Sequence, residues 1–282
     1  MALTHVAAGA SGQLLPVTPM LGVAMAVLLI AAVVVAGRGM LGHGHAVLRA
    51  GVRAVVQLAA VSLVITFVVH SLWWTLVFVL LMFTVAVRTA GRRMTDDPGW
   101  SWAWAAAPIG VGVLPVLTLL LASRLLPWQG LSIVPVAGIL IGGALSATSL
   151  AGRRALDELT QRHGEVEAAL ALGLEERDAR LEICRTAAAT SLVPALDQTR
   201  TVGLVTLPGA FVGMLLGGSS PVAAGAVQLF VLVALLAVEA VAIVVVLELV
   251  GRGLVRRPAR GPGRAPVRRT PTRWSLLRRP VQ

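Results

Sequence analysis

Residues 199–221 read TRTVGLVTLPGAFVGMLLGGSSP. Gly209, Gly213 and Gly217 recur every fourth residue and so share one face of a helix. In lipid such a face lets a neighbouring backbone come close, because helices associate there by packing rather than by the hydrophobic effect. Pro208 precedes the face and removes a backbone donor, which predicts a kink in the helix. A bent, glycine-faced membrane helix suits a bundle that changes shape; tight packing alone explains the same residues.

Composition sets the class. Of 282 residues, 57% are hydrophobic and only 13% charged, too little polar surface to enclose a soluble core of that length. The expected fold is an all-α polytopic membrane protein. A lone cysteine, Cys184, excludes an internal disulfide and reads as a small packing residue. All 24 basic residues are arginine. The phosphate-binding loop of an ATPase needs a lysine, so any ATP hydrolysis belongs to another chain.

The net charge of +11 is local: ten arginines and no acid lie between Arg252 and Arg279. The expected division is a permease domain over 1–251, with a cytoplasmic coupling region at 152–200, and a disordered arginine-rich tail over 252–282. The tail suits the anionic inner leaflet of a membrane; without interleaved aromatics, nucleic acid is not an expected partner.

Working outward, apolar segments near 17–36, 46–69, 72–87, 103–121 and 131–150 precede the opening stretch, and one at 223–249 follows it, about seven spans in all. Tryptophans at 73, 74, 100, 102 and 104 mark interfaces. Arginine gathers in the connections after the first, third, fifth and seventh spans, which predicts an outside N-terminus and a cytoplasmic C-terminus. One of seven helices is then peripheral to a six-helix core.

The polar region holds Glu165-Val-Glu-Ala-Ala-Leu-Ala-Leu-Gly173. Glu165, Glu167, Ala168 and Ala169 lie on one short helix, and Gly173 lets the chain turn back. Two readings stand: a docking helix for a partner's groove, or a solvated hairpin. The pattern resembles the EAA-plus-glycine coupling loop of ABC importer permeases, with Ile183 fitting its continuation and the expected Leu-Pro absent. Asp197 and Arg200 sit where docking would pass into the membrane, or form a local ion pair.

Ionisable groups within lipid are functional candidates. Glu239 lies mid-span and reads as a cation or proton site, or as a neutral structural acid; Arg53, Gln57 and Gln228 complete a candidate substrate path. His43 and His45 are too sparse for a defined metal site, so metal ligands stay unassigned. No HExxH or GxSxG occurs, and no catalytic residue is expected.

Taken in order, residues 53–57 (RAVVQ), 133–142 (IVPVAGILIG), the EAA-like helix, 194–197 (PALD) and 202–209 (VGLVTLPG) stand out. With Gly213, the GGSSP of 217–221 and Gln228, this series resembles the FetB-type permeases. Those are bacterial iron-export ABC transporter subunits, related to plant permeases linked to aluminium tolerance. The resemblance spans about Gly51 to Leu249. It implies a homodimeric permease of the bacterial inner membrane, without a cofactor of its own, paired with an ABC ATP-binding subunit that carries ATP and magnesium. It implies export, with iron as cargo. Ala210 and Phe211 depart from the pattern, which puts in doubt a metal role for a methionine after Pro208-Gly209, and the arginine tail is an addition. An importer permease and a non-transporting scaffold or receptor are the competing classes.

Overall fold

A computed structural model describes residues 18–40, 42–95 and 100–257. The expected turn at 96–99 and the tail beyond 257 lie outside these residues. Ten α-helices follow one another: α1 Pro19–Arg38, α2 Gly44–Val69, α3 Leu72–Met94, α4 Ala106–Ala122, α5 Gly130–Gln161, α6 His163–Ala171, α7 Glu176–Ala189, α8 Val193–Thr201, α9 Gly209–Leu216 and α10 Pro221–Gly251. Six helical segments are long and apolar enough to cross a membrane, α4 together with the 3-10 turn before it. The protein is an all-α, multi-pass membrane protein.

Small residues make the core. Along α5, Ala137, Ala144, Ala147, Ala151 and Ala155 are buried together with Leu140 and Ile141. That stripe lets α5 pack closely on α3, α10 and α7, the arrangement expected where lipid removes hydrophobic drive. Gly112 of α4 brings that helix so near α10 that an added Cβ would lie 2.9 Å from the carbonyl oxygen of Val238. Gly91 of α3 likewise receives the backbone of Trp102, over which the Arg88 guanidinium sits 5.9 Å from the ring centroid. On the other side, α1 packs against α2, where Leu29 covers Gly51, and it is the peripheral helix.

At 32 residues α5 is about 48 Å long, well beyond a bilayer's apolar thickness of about 30 Å. Its last turns therefore project from the bundle at what is here called the polar end. There α7 folds back on α5 and α10 and buries Ala179, Leu181, Cys184 and Ala188. Burial pushes the Cys184 thiol up to about 11, so about one thiol in a thousand is ionised at pH 8. Maleimide at pH 8 is expected to leave the folded protein unlabelled and to label it fully in dodecyl sulfate, with thiolate appearing only as pH rises toward 11. Rapid labelling in mild detergent would place α7 away from the core.

One expectation needs correction. The single kinked helix over 199–221 is replaced by two short helices, α8 and α9, with residues 202–208 non-helical between them. Gly203 has φ +80, and its N–H donates to the Thr206 carbonyl at 2.9 Å, closing a tight loop. Pro208 sits at the N-cap of α9 rather than inside a helix, in the position that tolerates a missing donor. Continuous spans therefore number six rather than seven among the described residues. The chain still travels the length of α10 in reverse. Arg177 of α7 meets Glu248, α8 lies by Leu235 and Glu239, and Phe211 of α9 reaches Gly225.

The last six described residues belong to the packed body. Val255 is buried, and the carbonyl of Arg256 accepts a bond from Thr95 Oγ1 at 2.8 Å. Arg257 pairs with Asp157.

Candidate functional site

At the polar end the chain builds a hairpin. Arg162 breaks the helical path after α5 and forks between Glu158 at 3.2 Å and Glu165 at 2.7 Å. Glu165 lies in the first turn of α6, where the helix dipole favours an acid. Hydrogen bonds from Arg162 hold the Glu165 carboxyl below the usual carboxylate range. Glu167 reaches His163 at 3.4 Å, Ala168 is exposed and Ala169 half-buried. No residue of α6 is fully buried. Gly173 has φ +92, the left-handed conformation that glycine adopts without strain, and the chain reverses there into α7.

The hairpin tip exposes apolar side chains that its composition did not single out. Leu172 is 82% exposed, and Leu170 and Leu174 are also uncovered. These are polar-end residues with no claim on lipid, and exposed leucines at such a place mark a contact surface. A cleft of about 850 Å³ separates α6 from the end of α10, lined on its charged side by Asp157, Glu167, Glu176, Arg180, Arg256 and Arg257. The cleft separates the α6 side of the hairpin from α10, while the first turn of α7, just beyond the tip, is fixed to the bundle. Arg177, one residue into α7, donates to both carboxylate oxygens of Glu248 at 2.8 and 2.6 Å. Arg252 adds a third bond to the same carboxylate at 2.6 Å. The start of α7 is thereby tied to the end of α10.

From α7 the chain enters α8, where Asp197 and Arg200 form an exposed ion pair at 3.7 Å. Beyond the 202–208 loop, Gly209 and Gly213 of α9 face open space, and the only atoms near Gly217 are carbonyls of its own helix. Among the described residues the glycine face has no partner. Leu204 is 90% exposed and Val205 and Leu207 are uncovered beside it.

The four residues of the expected substrate path do not converge. Arg53 and Gln57 are exposed on α2, which packs on α1 and α3. Gln228 is buried in α10 with its Oε1 unpartnered, and Glu239 lies eleven residues on, about 16 Å along the helix. Glu239 borders a cavity of about 330 Å³ walled by α5, α10 and the start of α8. Gly143 of α5 makes room for its carboxylate, since an added Cβ would lie 2.9 Å from Oε1. Ser146, Ser191 and Gln198 also line this cavity and were not singled out in the sequence. The pair Gly142-Gly143 within α5 is the one local signal that a side chain from elsewhere fills that position. Among the described residues no group of three or more His, Cys, Asp and Glu is placed to hold a metal ion.

The profile of an uncharacterised protein family, UPF0014, matches residues 20–255. Three similar proteins illustrate its range. The UPF0014 membrane protein STAR2 of Oryza sativa subsp. japonica is 35% identical over 78% of this chain and 76% of its own length. The protein ALUMINUM SENSITIVE 3 of Arabidopsis thaliana is 34% identical over 64% of this chain and 66% of its own. A probable iron export permease protein, FetB, of Escherichia coli (strain K12) is 26% identical over 68% of this chain and 75% of its own. No solved structure matches.

Proposed function

The chain belongs to the UPF0014 family of membrane proteins, and on that premise we propose that it is the membrane-spanning permease subunit of an ABC transporter that exports a metal cation, iron first among candidates. ATP and magnesium are held by a separate ATP-binding subunit. The observation that carries this reading is the α6–α7 hairpin: three uncovered leucines around its turn, with the adjoining first turn of α7 ion-paired to α10. An isolated solvated hairpin has no use for three uncovered leucines. The iron assignment rests on the similarity to the protein named a probable iron export permease.

In this reading the N-terminus lies outside and the polar end faces the cytoplasm of the bacterial inner membrane. Non-helical backbone at membrane depth is tolerated where protein or a water-filled path surrounds it. The α8–loop–α9 return supplies the sixth of seven crossings and the movable part of the gate. Two copies form the permease, with the uncovered glycine face of α9 and Leu204 and Val205 as contact surfaces between them or along the path. The arginine-rich sequence of the tail supplies positive charge that suits the anionic inner leaflet.

Docking of the ATP-binding subunit on Leu170, Leu172 and Gly173 moves the hairpin. Glu165, Glu167, Ala168 and Ala169 shape the docking helix. Closure of the ATPase pair then reaches α10 through Arg177 and α8 through the end of α7. The test is co-expression with ATP-binding subunits from the same genome. Leu172→Glu, which places a charge in a packed contact, is expected to lower recovery of the complex at least 30-fold, equivalent to the loss of about 2 kcal/mol typical of a central contact residue. In vesicles, Fe²⁺ is expected to stimulate ATP hydrolysis by the pair. Iron movement by this chain without ATP, or full recovery of the Leu172→Glu complex, would overturn the proposal.

A further inference from the structure

We propose that the cavity beside Glu239 is a binding site for a hard divalent cation that keeps part of its water shell. Glu239 is its charged ligand, and Ser146, Ser191 and Gln198 supply neutral oxygens. The inference deepens the transport reading by giving the cargo a place, and it rests on that reading only for the cargo's identity.

Ser191 is the first support. It is 3% exposed, lines the cavity, and its Oγ has no hydrogen-bond partner. A buried hydroxyl left unsatisfied is destabilising, and a ligand that bonds to it removes that penalty. Glu239 is the second. Among the described residues its carboxylate has no arginine in ion-pairing reach, unlike Glu248 and Asp157 nearer the polar end. A mid-span carboxyl without a counter-charge is a functional candidate, and a bound cation would supply the missing charge. The third is Gly143, whose missing side chain leaves the space that the carboxylate occupies.

The donor set fixes the chemical class. The lining supplies a carboxylate, hydroxyls and an amide, with no histidine, cysteine or methionine among its residues. Oxygen ligands select hard cations over soft ones. One carboxylate cannot strip such an ion, but at about 30 Å³ per water the cavity has room for several retained waters, the usual state of small divalent ions held by one or two carboxylates. Gly142, Ser146 and Gln198 are exposed along one side, which a second copy would complete in the proposed homodimer. Ser191, Pro194, Ala195 and Gln198 come from the start of the broken return, so displacing α8 changes the cavity's wall.

The test uses the purified full chain in nanodiscs, without ATP or a partner subunit, and Mn²⁺ as a hard, paramagnetic probe. Spin-resonance titration is expected to show saturable binding of one Mn²⁺ per chain. Glu239→Gln is expected to weaken it at least tenfold. Gly143→Ala keeps every ligand but pushes the carboxylate aside, with a loss of at least threefold expected. Ser191→Ala should cost about threefold. Native protection of Cys184 from maleimide certifies that each variant is folded.

Unchanged Mn²⁺ affinity in folded Glu239→Gln and Gly143→Ala, or no saturable binding at all, overturns the site. So does a Glu239→Gln change confined to pH dependence, which would make the carboxylate a proton carrier. Metal-stimulated ATP hydrolysis that survives Glu239→Gln overturns this site and leaves the transporter reading standing. Binding at Glu239 in a chain that associates with no ATP-binding subunit does the reverse.

Discussion

Gly112→Leu is expected to abolish accumulation of folded protein. The Cβ alone would stand 2.9 Å from the Val238 carbonyl oxygen, and that neighbour is α10 backbone rather than a side chain that can swing away. Both helices would have to separate along a contact that buries Ile109, Val113, Val238 and Ala242. Overpacking of this kind costs about 1–3 kcal/mol in ordinary cores, and in lipid no hydrophobic gain offsets the lost contacts. The measurement is the yield of monodisperse protein on size exclusion together with the maleimide reactivity of Cys184, which should become fast. Gly213→Leu is the matched control, because no other element among the described residues lies within 4 Å of its added Cβ. Its fold should survive, so any loss of transport there reports a contact with another chain.

Arg177→Glu is expected to separate ATP hydrolysis from transport. The guanidinium binds both oxygens of Glu248 and also reaches Asp178 at 2.6 Å, so reversal sets three acids together at the start of α7. The pair is partly exposed, and such pairs contribute only about 0.2–1 kcal/mol to stability. The folded yield should therefore hardly change. What changes is the attachment through which hairpin movement reaches α10. With the partner subunit in vesicles, cation moved per ATP hydrolysed is expected to fall at least tenfold. The exchange Arg177→Glu with Glu248→Arg should restore it, since the two groups then meet with signs swapped. A single variant with undiminished transport would remove this contact from the coupling route.

Much of the architecture is legible in the residues. The long apolar segments, the tryptophans at their ends and the alternation of arginine locate six helices to within a few residues, except that α5 and α3 run on past the apolar part. They do so because Arg153, Arg154, Asp157 and Glu158 are good helix formers or tolerated ones that continue it into water. Gly173 is legible for the same local reason: a positive φ is a property of one residue and its neighbours.

The break at 202–208 is not. Apolar content around Pro208 reads the same for a kinked helix and for a loop, and the outcome turns on Gly203 bonding to Thr206 rather than on hydropathy. Side chains far apart in sequence are the other blind spot. Arg177 and Glu248 are 71 residues apart, and the cavity by Glu239 draws Gly143 from α5 and Ser191 and Gln198 from the start of the return. No pattern within one helix brings such groups together. Nor does the sequence show that Arg53 and Gln57 on α2 are set apart from Gln228 and Glu239 on α10 within one chain.

The eight residues of α9 also bear on how the protein is made. A segment of about 12 Å is too short for the insertion machinery to retain by itself, and Pro208 and the glycines weaken it further. While α10 is still inside the ribosome, residues 193–220 have nothing to hold them at depth. In the proposed topology they are expected to enter the bilayer together with α10, as the leading arm of a helical hairpin. A nascent chain that stops short of residue 221 would therefore leave that arm on the side of synthesis, accessible to protease.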